Sequence, residues 1–270
     1  MHITPALPLF TGVFDMTLEI VPGSLTSPDP SIKNYAPYAP AIGVTGYTDR
    51  WRPALDFATS AVGDAVSTYP SPLMPDNILV GDTINRPMIV DQSGVRMVDC
   101  AMAGAQAALT DINRKFGDVS LLAVWYEVHG SESHSILTIG GLRFSRAGAS
   151  WGLSKMSGAA GTTLSISNDP ATGGVAISAR RYAAVLTIPA DGAAAVTLQL
   201  IGAGTAAVTK SGVVTRGGSM DEQRRLRFGK DSGGSANTGP QFAEMVIWER
   251  LLTTEEIAAV TAYATDKYTL

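Results

Sequence analysis

The sequence has few of the features that cross-link a protein, anchor it in a membrane or give it strong charge. It contains one cysteine, Cys100, so no disulfide can form within the chain. No apolar run approaches the roughly 18 residues that a transmembrane helix needs. Lys and Arg number 20 against 24 Asp and Glu, which argues against a nucleic-acid partner. These absences favour a folded protein with a large core and no membrane insertion.

A secretion signal is also missing from the first ten residues. The stretch MHITPALPLF has no Lys or Arg, and two prolines interrupt its apolar part. One unpaired cysteine fits assembly in a reducing cytoplasm. Because Cys100 is flanked by apolar residues, we expect a small buried side chain and no catalytic thiol.

Proline is concentrated in the first third of the chain, and residues 1–45 are expected to be extended. One strand is predicted at Val13–Val21, where alternate residues are apolar. Tyr35 and Tyr38 lie in NYAPYAPA and are candidate anchors for an arm that docks on a partner. The alternative is a strap packed on its own domain, and the sequence does not decide between them.

From about residue 119 the pattern changes to short β-branched or aromatic runs separated by Gly, Asn, Asp and Ser. Regular short strands with polar turns predict an all-β, antiparallel two-sheet jelly-roll sandwich. A stretch at 105–115, AQAALTDINRK, is helix-like and interrupts the series. The basic cluster Arg224 to Arg227 lies beside two acidic residues and is interpreted as a solvated strand end.

The chain closes on a well-specified helix. Thr253 and Glu256 form a capping box, and Leu252 with Ile257 forms a hydrophobic staple. Apolar residues then recur at helical spacing up to Tyr268. One amphipathic face predicts that this short C-terminal helix caps a β domain.

The closing stretch FAEMVIWERLLTTEEIAAVTAYATDKY resembles the C-terminal signature of concanavalin A-like, laminin-G-like jelly rolls of bacterial and phage proteins. INRPMIV, SLLAVWYEV and RLRFGKDSGGSANTGPQFAE are similar to earlier runs of the same family. Asp99-Cys100 departs from its usual Phe-Asp-Gly. The resemblance covers roughly residues 50–270 and implies a jelly-roll domain at 46–270. The matching positions of the closing motif are Phe242, Glu244, Trp248, Leu252, Thr253, Glu255, Glu256, Ile257, Tyr263 and Tyr268.

The sequence offers no convincing catalytic residues. Retaining glycosidases of this fold carry a Glu-x-Asp-x-x-Glu motif that keeps two carboxylates on one strand face, and this sequence lacks it. His129, Glu132 and His134 share one loop, but that spacing is typical of a polar turn as well as of a metal site. We therefore expect no enzyme and no required cofactor.

The family resemblance does imply a structural calcium ion in several members. Asp231 and Asn237, in the loop before the last strand, are the candidate ligands here because calcium prefers carboxylate and amide oxygens.

Carbohydrate binding requires exposed aromatic faces beside hydrogen-bonding side chains. Trp151, in a glycine-flanked segment near Arg143 and Arg146, is the better exposed candidate, with Tyr126 as a second. Core packing is the alternative for Trp151. Trp125 and Tyr126 are neighbours on one strand and face opposite ways, so one of the two is expected in the core, and Trp248 in the closing strand is expected there as well.

An adhesion fold without a secretion signal is most simply explained as a virion protein. The hypothesis is a carbohydrate-binding head spike or tail fibre of a phage or gene-transfer-agent-like particle, contacting host surface polysaccharide. It would lie on the particle surface, dock to other virion proteins through residues 1–45, and form a homo-oligomer. The alternatives are a structural adaptor without a glycan ligand and a polysaccharide-degrading enzyme on the same fold.

Overall fold

The computed structural model describes residues 42–81, 86–92, 94–100, 108–111, 116–128, 134–148, 150–155, 163–166, 180–216, 226–229 and 240–270. All of them fall within one unit, Pro40–Leu270. Most of the predicted arm, including the strand at 13–21, Tyr35 and Tyr38, lies outside these residues.

The described residues form sixteen strands, a short helix α1 (Pro53–Asp56) and a longer helix α2 (Thr254–Tyr268). In chain order the strands are β1 (Asp49–Trp51), β2 (Thr68–Pro70), β3 (Ile78–Gly81), β4 (Met88–Gln92), β5 (Val95–Asp99), β6 (Ala108–Asp111), β7 (Val119–Glu127), β8 (His134–Ile139), β9 (Leu142–Ala147), β10 (Ser150–Lys155), β11 (Leu164–Ile166), β12 (Arg180–Ile188), β13 (Val196–Gly202), β14 (Val208–Gly212), β15 (Leu226–Gly229) and β16 (Gln241–Trp248).

The strands make two eight-stranded antiparallel sheets. Sheet A has the order β14-β13-β12-β7-β16-β5-β4, with β1 paired to β16. Sheet B has the order β11-β10-β9-β8-β15-β6-β3-β2. The predicted all-β sandwich with a C-terminal helix is confirmed.

The central strands of sheet A are covered on both faces. Alternate residues of β7, such as Leu121 and Trp125, lie in the core between the sheets. The residues between them, Leu122 and Val124, lie in a second core on the opposite face of sheet A. That second core also contains Tyr263 and three further buried residues of α2, so the helix forms a third layer. A strand buried on both faces reads as an uninterrupted apolar run, as β7 does.

The capping box predicted for α2 is present. Thr253 Oγ1 accepts from the Glu256 backbone N–H at 3.3 Å, and the Glu256 carboxylate accepts from the Thr253 backbone N–H at 2.9 Å. These bonds satisfy two backbone groups that a helix N-terminus otherwise leaves open. They fix the residue at which the helix begins.

A β-bulge in β16 decides which side chain faces the helix. Phe242 pairs with Trp125 and Glu244 with Val124, so Ala243 is an extra residue without a partner position. Phe242 lies between the sheets and Ala243 lies in the core beneath α2. Because of the bulge, Glu244 lies on the α2 side together with Ala243. Strict alternation would place Phe242 and Glu244 on the same face; the bulge separates them.

The helix predicted at 105–115 is wrong for the residues described there. Residues 108–111 form β6, which pairs with β3 and β15 in the middle of sheet B. A short apolar run is ambiguous between helix and strand when read alone. Here the neighbouring strands on both sides supply backbone partners that only an extended segment can use.

Candidate functional site

The sequence-predicted sugar site is not brought together by the fold. Trp151 is 0% exposed and lies in the core between the sheets, so the prediction that it is exposed is wrong. It alternates with buried Leu153 along β10, and the glycine after it faces the other way. Glycine next to an aromatic residue marked a strand in this case and not an exposed loop.

The other three predicted residues lie in different layers. Arg146 is buried between the sheets, where its Nη1 lies 3.6 Å from Glu127 Oε1. Tyr126 is half-buried and packs against the core on the helix side of sheet A. Arg143 is half-buried on sheet B and alternates with inward-facing Phe144. Of the four, only Arg143 faces away from both cores.

Trp151 instead belongs to an aromatic cluster that joins the two sheets. Its ring centroid lies 4.9 Å from that of Tyr182 and 5.6 Å from that of Trp125. Phe144 stacks on it at 6.0 Å, and the guanidinium carbon of Arg146 lies 5.6 Å from its centroid. Aromatic pairs at these distances contribute beyond simple burial. The cluster is part of what holds the sandwich closed.

The densest group of ionisable side chains surrounds Glu244, which is 0% exposed beneath α2. Its carboxylate accepts hydrogen bonds from Arg50 Nε at 2.8 Å, Tyr263 OH at 2.7 Å, Lys267 Nζ at 2.9 Å and Tyr268 OH at 2.7 Å. Arg50 comes from β1 and the other three donors from α2. We call these five residues the Glu244 clasp, because one carboxylate ties a strand and a helix to β16.

The electrostatics of the clasp favour an ionised carboxylate. Burial alone raises the pKa of Glu244, but the charges of Lys267 and Arg50 and the bond from Tyr268 outweigh it, so the pKa lies below its ordinary value. For Lys267 burial dominates over the attraction of Glu244, and Arg50 adds repulsion, so the pKa of Lys267 is also lowered. The two cations thus lower the pKa of Glu244, and burial together with Arg50 lowers the pKa of Lys267.

The clasp is suited to holding structure and not to catalysis. Burial and the nearby carboxylate raise the pKa of Tyr263 and of Tyr268, so both phenols stay protonated near neutral pH and donate hydrogen bonds. An activated nucleophile or base would need a pKa shifted toward neutrality. Cys100 is no better a candidate, because burial raises the pKa of its thiol.

A different set of polar residues lines the outward face of sheet B. Thr138 on β8 is the cross-strand partner of Arg227 on β15 and of Arg143 on β9. Arg143 pairs in turn with Ser154 on β10. The residues that alternate with them, including Phe228, belong to the core between the sheets. Four neighbouring strands therefore present one row of hydroxyl and guanidinium groups away from that core.

A second row runs beside the first. Ser145 on β9 pairs with Ser135 on β8 and with Gly152 on β10, and Gly152 pairs with Ser165 on β11. We call the two rows together the polar face; its members are Ser135, Thr138, Arg143, Ser145, Gly152, Ser154, Ser165 and Arg227.

Two hydroxyl groups of the polar face are buried without a hydrogen-bond partner among the residues that the structure describes. They are Oγ1 of Thr138, which is 0% exposed, and Oγ of Ser135, which is 8% exposed. A bulge between Ser135 and Leu137 places both side chains on the same face although they are three residues apart. Most buried hydroxyls in folded proteins are paired.

Sequence reasoning missed most of the polar face. Arg227 lies inside β15 with its side chain outward, whereas the sequence indicated only a solvated strand end. The available signal was the alternation of Ser, Thr and Arg with apolar residues in SILTI, LRFSRA, SWGLSK and LRFG.

No metal centre emerges from the part of the chain that the structure describes, where no three His, Cys, Asp or Glu side chains are grouped to hold an ion. The predicted calcium ligands Asp231 and Asn237 lie outside the described residues, as do His129 and Glu132. Within the described residues, neither helix is long and apolar enough to cross a membrane.

No family model matches the sequence, and no curated protein sequence matches it. Among solved structures, Trypanosoma rangeli sialidase has a TM-score of 0.53 at 14% identity, covering 85% of this chain and 34% of the sialidase chain. The same sialidase with 2,3-difluorosialic acid gives 0.52 at 14% identity and the same coverage. The botulinum neurotoxin serotype D binding domain gives 0.39 at 12% identity, covering 75% and 45% of the two chains, and carries no argument.

This chain therefore shares its fold with a part of the sialidase, about a third of that enzyme's length. At 14% identity the likeness shows the fold alone.

Replacing Glu244 with Gln should destabilise the protein by about 3–5 kcal/mol, because two cations lose their buried partner. Glu249→Gln, the same change at an exposed position on the same stretch, should cost below about 1 kcal/mol. Urea denaturation measures both. Equal losses for the two variants would mean that the clasp does not stabilise the fold.

Acid should weaken the clasp. The pKa of Glu244 is lower in the folded state than its unfolded value of about 4.3, so its contribution is fully present above that value. The contribution is lost as pH falls through the folded pKa. The difference in unfolding free energy between wild type and Glu244→Gln should shrink as the pH is lowered from about 6 to about 3. A difference that stays constant over this range would contradict the assignment.

Trp151→Ala should act on stability, with a loss of about 3–5 kcal/mol from the cavity it leaves between the sheets. Trp151→Phe keeps much of the volume and should cost clearly less. Denaturation monitored by circular dichroism tests both variants. A Trp151→Ala protein of unchanged stability would place the ring at the surface, against the structure.

Proposed function

We propose that this chain is a non-enzymatic carbohydrate-binding component of a phage or phage-like particle, a head spike or tail fibre that contacts host surface polysaccharide. The observation that carries the proposal is the polar face of sheet B. It combines hydroxyl and guanidinium groups on one surface of four neighbouring strands. A fold shared with part of a sialidase is compatible with this role.

Sugars suit this surface chemically. Their hydroxyl groups both donate and accept hydrogen bonds, so they can pair with Ser and Thr hydroxyls and accept from Arg. Ser145 and Gly152 in the middle of the face are small, which allows a ring to approach the strands closely. Sheet A offers no comparable surface around β7 and β16, because both of its faces are covered there.

The location on a particle rests on the sequence. The single cysteine and the proline-rich residues 1–45 support a protein that assembles in the bacterial cytoplasm and docks through its N-terminal arm. Other virion proteins are its proposed partners there, and a homo-oligomer is the proposed assembly. A structural calcium ion held by Asp231 and Asn237 is also proposed.

A structural adaptor without a glycan ligand is the second candidate, and one observation favours it. The β2–β3 hairpin exposes an aliphatic group: Leu73 is 48% exposed, Met74 50%, Ile78 38% and Val80 48%. Large exposed hydrophobic residues of the described chain are aliphatic or Met, with no aromatic among them. Aliphatic patches are typical of contacts with protein.

Binding of the purified protein to capsular and lipopolysaccharide preparations from candidate host cells tests the proposal. Ser145→Gln adds bulk in the middle of the polar face and should lower affinity about tenfold, roughly 1.4 kcal/mol. Thr209→Gln, at an exposed position on the edge strand β14, is the matched control and should bind like wild type.

Three results would contradict the proposal. Absence of binding to every preparation would favour the adaptor, above all if residues 1–45 or the Leu73–Val80 hairpin bind another particle protein. Shortened polysaccharide chains after incubation would indicate an enzyme. Equal losses from Ser145→Gln and Thr209→Gln would place the binding surface elsewhere.

A further inference from the structure

The β2–β3 hairpin presents a continuous aliphatic surface at one edge of sheet B. Ile78 and Val80 are exposed because they alternate with buried Leu79 along β3, and exposed Pro70 is the cross-strand partner of Ile78. The turn between the two strands adds further exposed apolar side chains. We call this surface the hairpin face; its members are Pro70, Pro72, Leu73, Met74, Ile78 and Val80.

Buried contacts hold the hairpin face in place. Tyr69 is buried behind it, where its carbonyl oxygen accepts from Trp51 Nε1 at 3.1 Å and its ring centroid lies 4.6 Å from that of Phe57. In the turn, Asn77 Nδ2 donates to both carboxylate oxygens of buried Asp49, at 3.0 and 3.2 Å. Asp49 lies on β1 of sheet A, so the turn is tied to both sheets. A surface fixed in this way loses little conformational freedom when a partner covers it.

Charged residues are scarce around the hairpin face. Asp76 is the single charged residue from 65 to 81, and no Lys or Arg occurs from 53 to 85. Protein interfaces are depleted of charge at their centre, and homodimer interfaces are more apolar than others. An uncharged aliphatic surface is also complementary to itself, as a two-fold contact requires. This composition favours a second copy of the same surface as the partner.

The hairpin face is large enough for a weak specific contact. Leu73, Met74, Ile78 and Val80 are 38–50% exposed. Together with the two prolines they expose roughly 500 Å², near the upper end of the range for the largest apolar patch on a typical monomer. Two such faces packed on each other bury about 1,000 Å², the area from which a specific interface is expected.

The contact would be made by side chains and not by an added strand. β2 is the edge strand of sheet B but has only three residues, Thr68–Pro70. Pro70 has no N–H to donate, and a short edge strand that contains proline resists pairing with another chain. Two hairpins can therefore meet face to face more readily than edge to edge.

We infer that the hairpin face is a two-fold contact between two copies of this chain. The inference rests on the homo-oligomer included in the proposed function and names the surface that forms it. Another particle protein is the alternative occupant of the hairpin face, and the isolated protein would then stay monomeric.

Sedimentation velocity of the full chain tests the contact. Between about 1 µM and about 100 µM the protein should shift from monomer to dimer, because an interface of this size is weak. The dimer should persist when NaCl is raised from about 0.05 M to about 0.5 M, since salt screens charges and leaves apolar contacts intact.

Variants assign the dimer to the hairpin face. Val80→Glu and Val80→Lys should each raise the dissociation constant at least about tenfold, because like charges then meet across the two-fold axis. An equimolar mixture of the two variants should associate again, since opposite charges face each other. Val213→Glu is the matched control: Val213 is 47% exposed, as Val80 is 48% exposed, but it follows the edge strand β14 of sheet A. Circular dichroism checks folding, and Ile78→Glu gives a second reading if a Val80 variant does not fold.

The outcomes separate this contact from carbohydrate binding, which is measured on the same samples. A wild-type protein that stays monomeric up to about 100 µM overturns the inference, even if it binds polysaccharide. Dimers that Val80→Glu and Val213→Glu weaken equally place the contact elsewhere and also overturn it. A mixture that fails to associate contradicts the two-fold arrangement. An intact, Val80-dependent dimer that binds no polysaccharide supports the inference and refutes carbohydrate binding alone.

Discussion

One buried carboxylate ties the C-terminal helix and strand β1 to the middle of sheet A. Glu244 lies on the strand between β7 and β5 and accepts from a strand on one side and a helix on the other. A charge of this kind is costly to bury unless every lone pair is used, and here four donors surround it. The position of α2, and with it the burial of Leu122 and Val124, depends on this arrangement.

Because α2 covers the outer face of sheet A, the two sheets differ in the side chains that they can present to a ligand. Sheet A has apolar side chains on both faces of its central strands, so it can offer little to a ligand there. Strands β8, β9, β10 and β15 of sheet B keep their large apolar residues on the inner face, so their outward positions can be polar. In β9, Leu-Arg-Phe-Ser-Arg-Ala, buried residues alternate with more exposed ones, as expected for a strand with one covered face. In β7, which is covered on both faces, no such alternation is present.

The sequence was most informative where structure is local. The Thr253–Glu256 capping box depends on residues three apart, and it occurs as predicted. The strands at 119–127 and 241–248 could be identified because long β-branched and aromatic runs have few alternatives. The burial of Trp248 followed from the second of these runs.

The site depends on pairings that a single sequence does not display. Thr138 and Arg227 are neighbours only because β15 pairs with β8, although the two residues lie 89 positions apart in the sequence. The bulges at Ala243 and near Ile136 each reverse the phase of alternation within one strand, so counting every second residue fails there. Trp151 was misassigned for a related reason, since its burial is decided by Tyr182 on the other sheet.

The order of the strands bears on how the chain reaches this state during synthesis. β16 is the last of the described strands in chain order, yet it occupies the middle of sheet A, between β7 and β5, and also pairs with β1. Until β16 leaves the ribosome, β7 and β5 both present unpaired edges, which are liable to aggregate. The sheet can therefore be completed only after residue 248 has emerged, and removal of residues 241–270 would leave two half-sheets instead of a shortened domain.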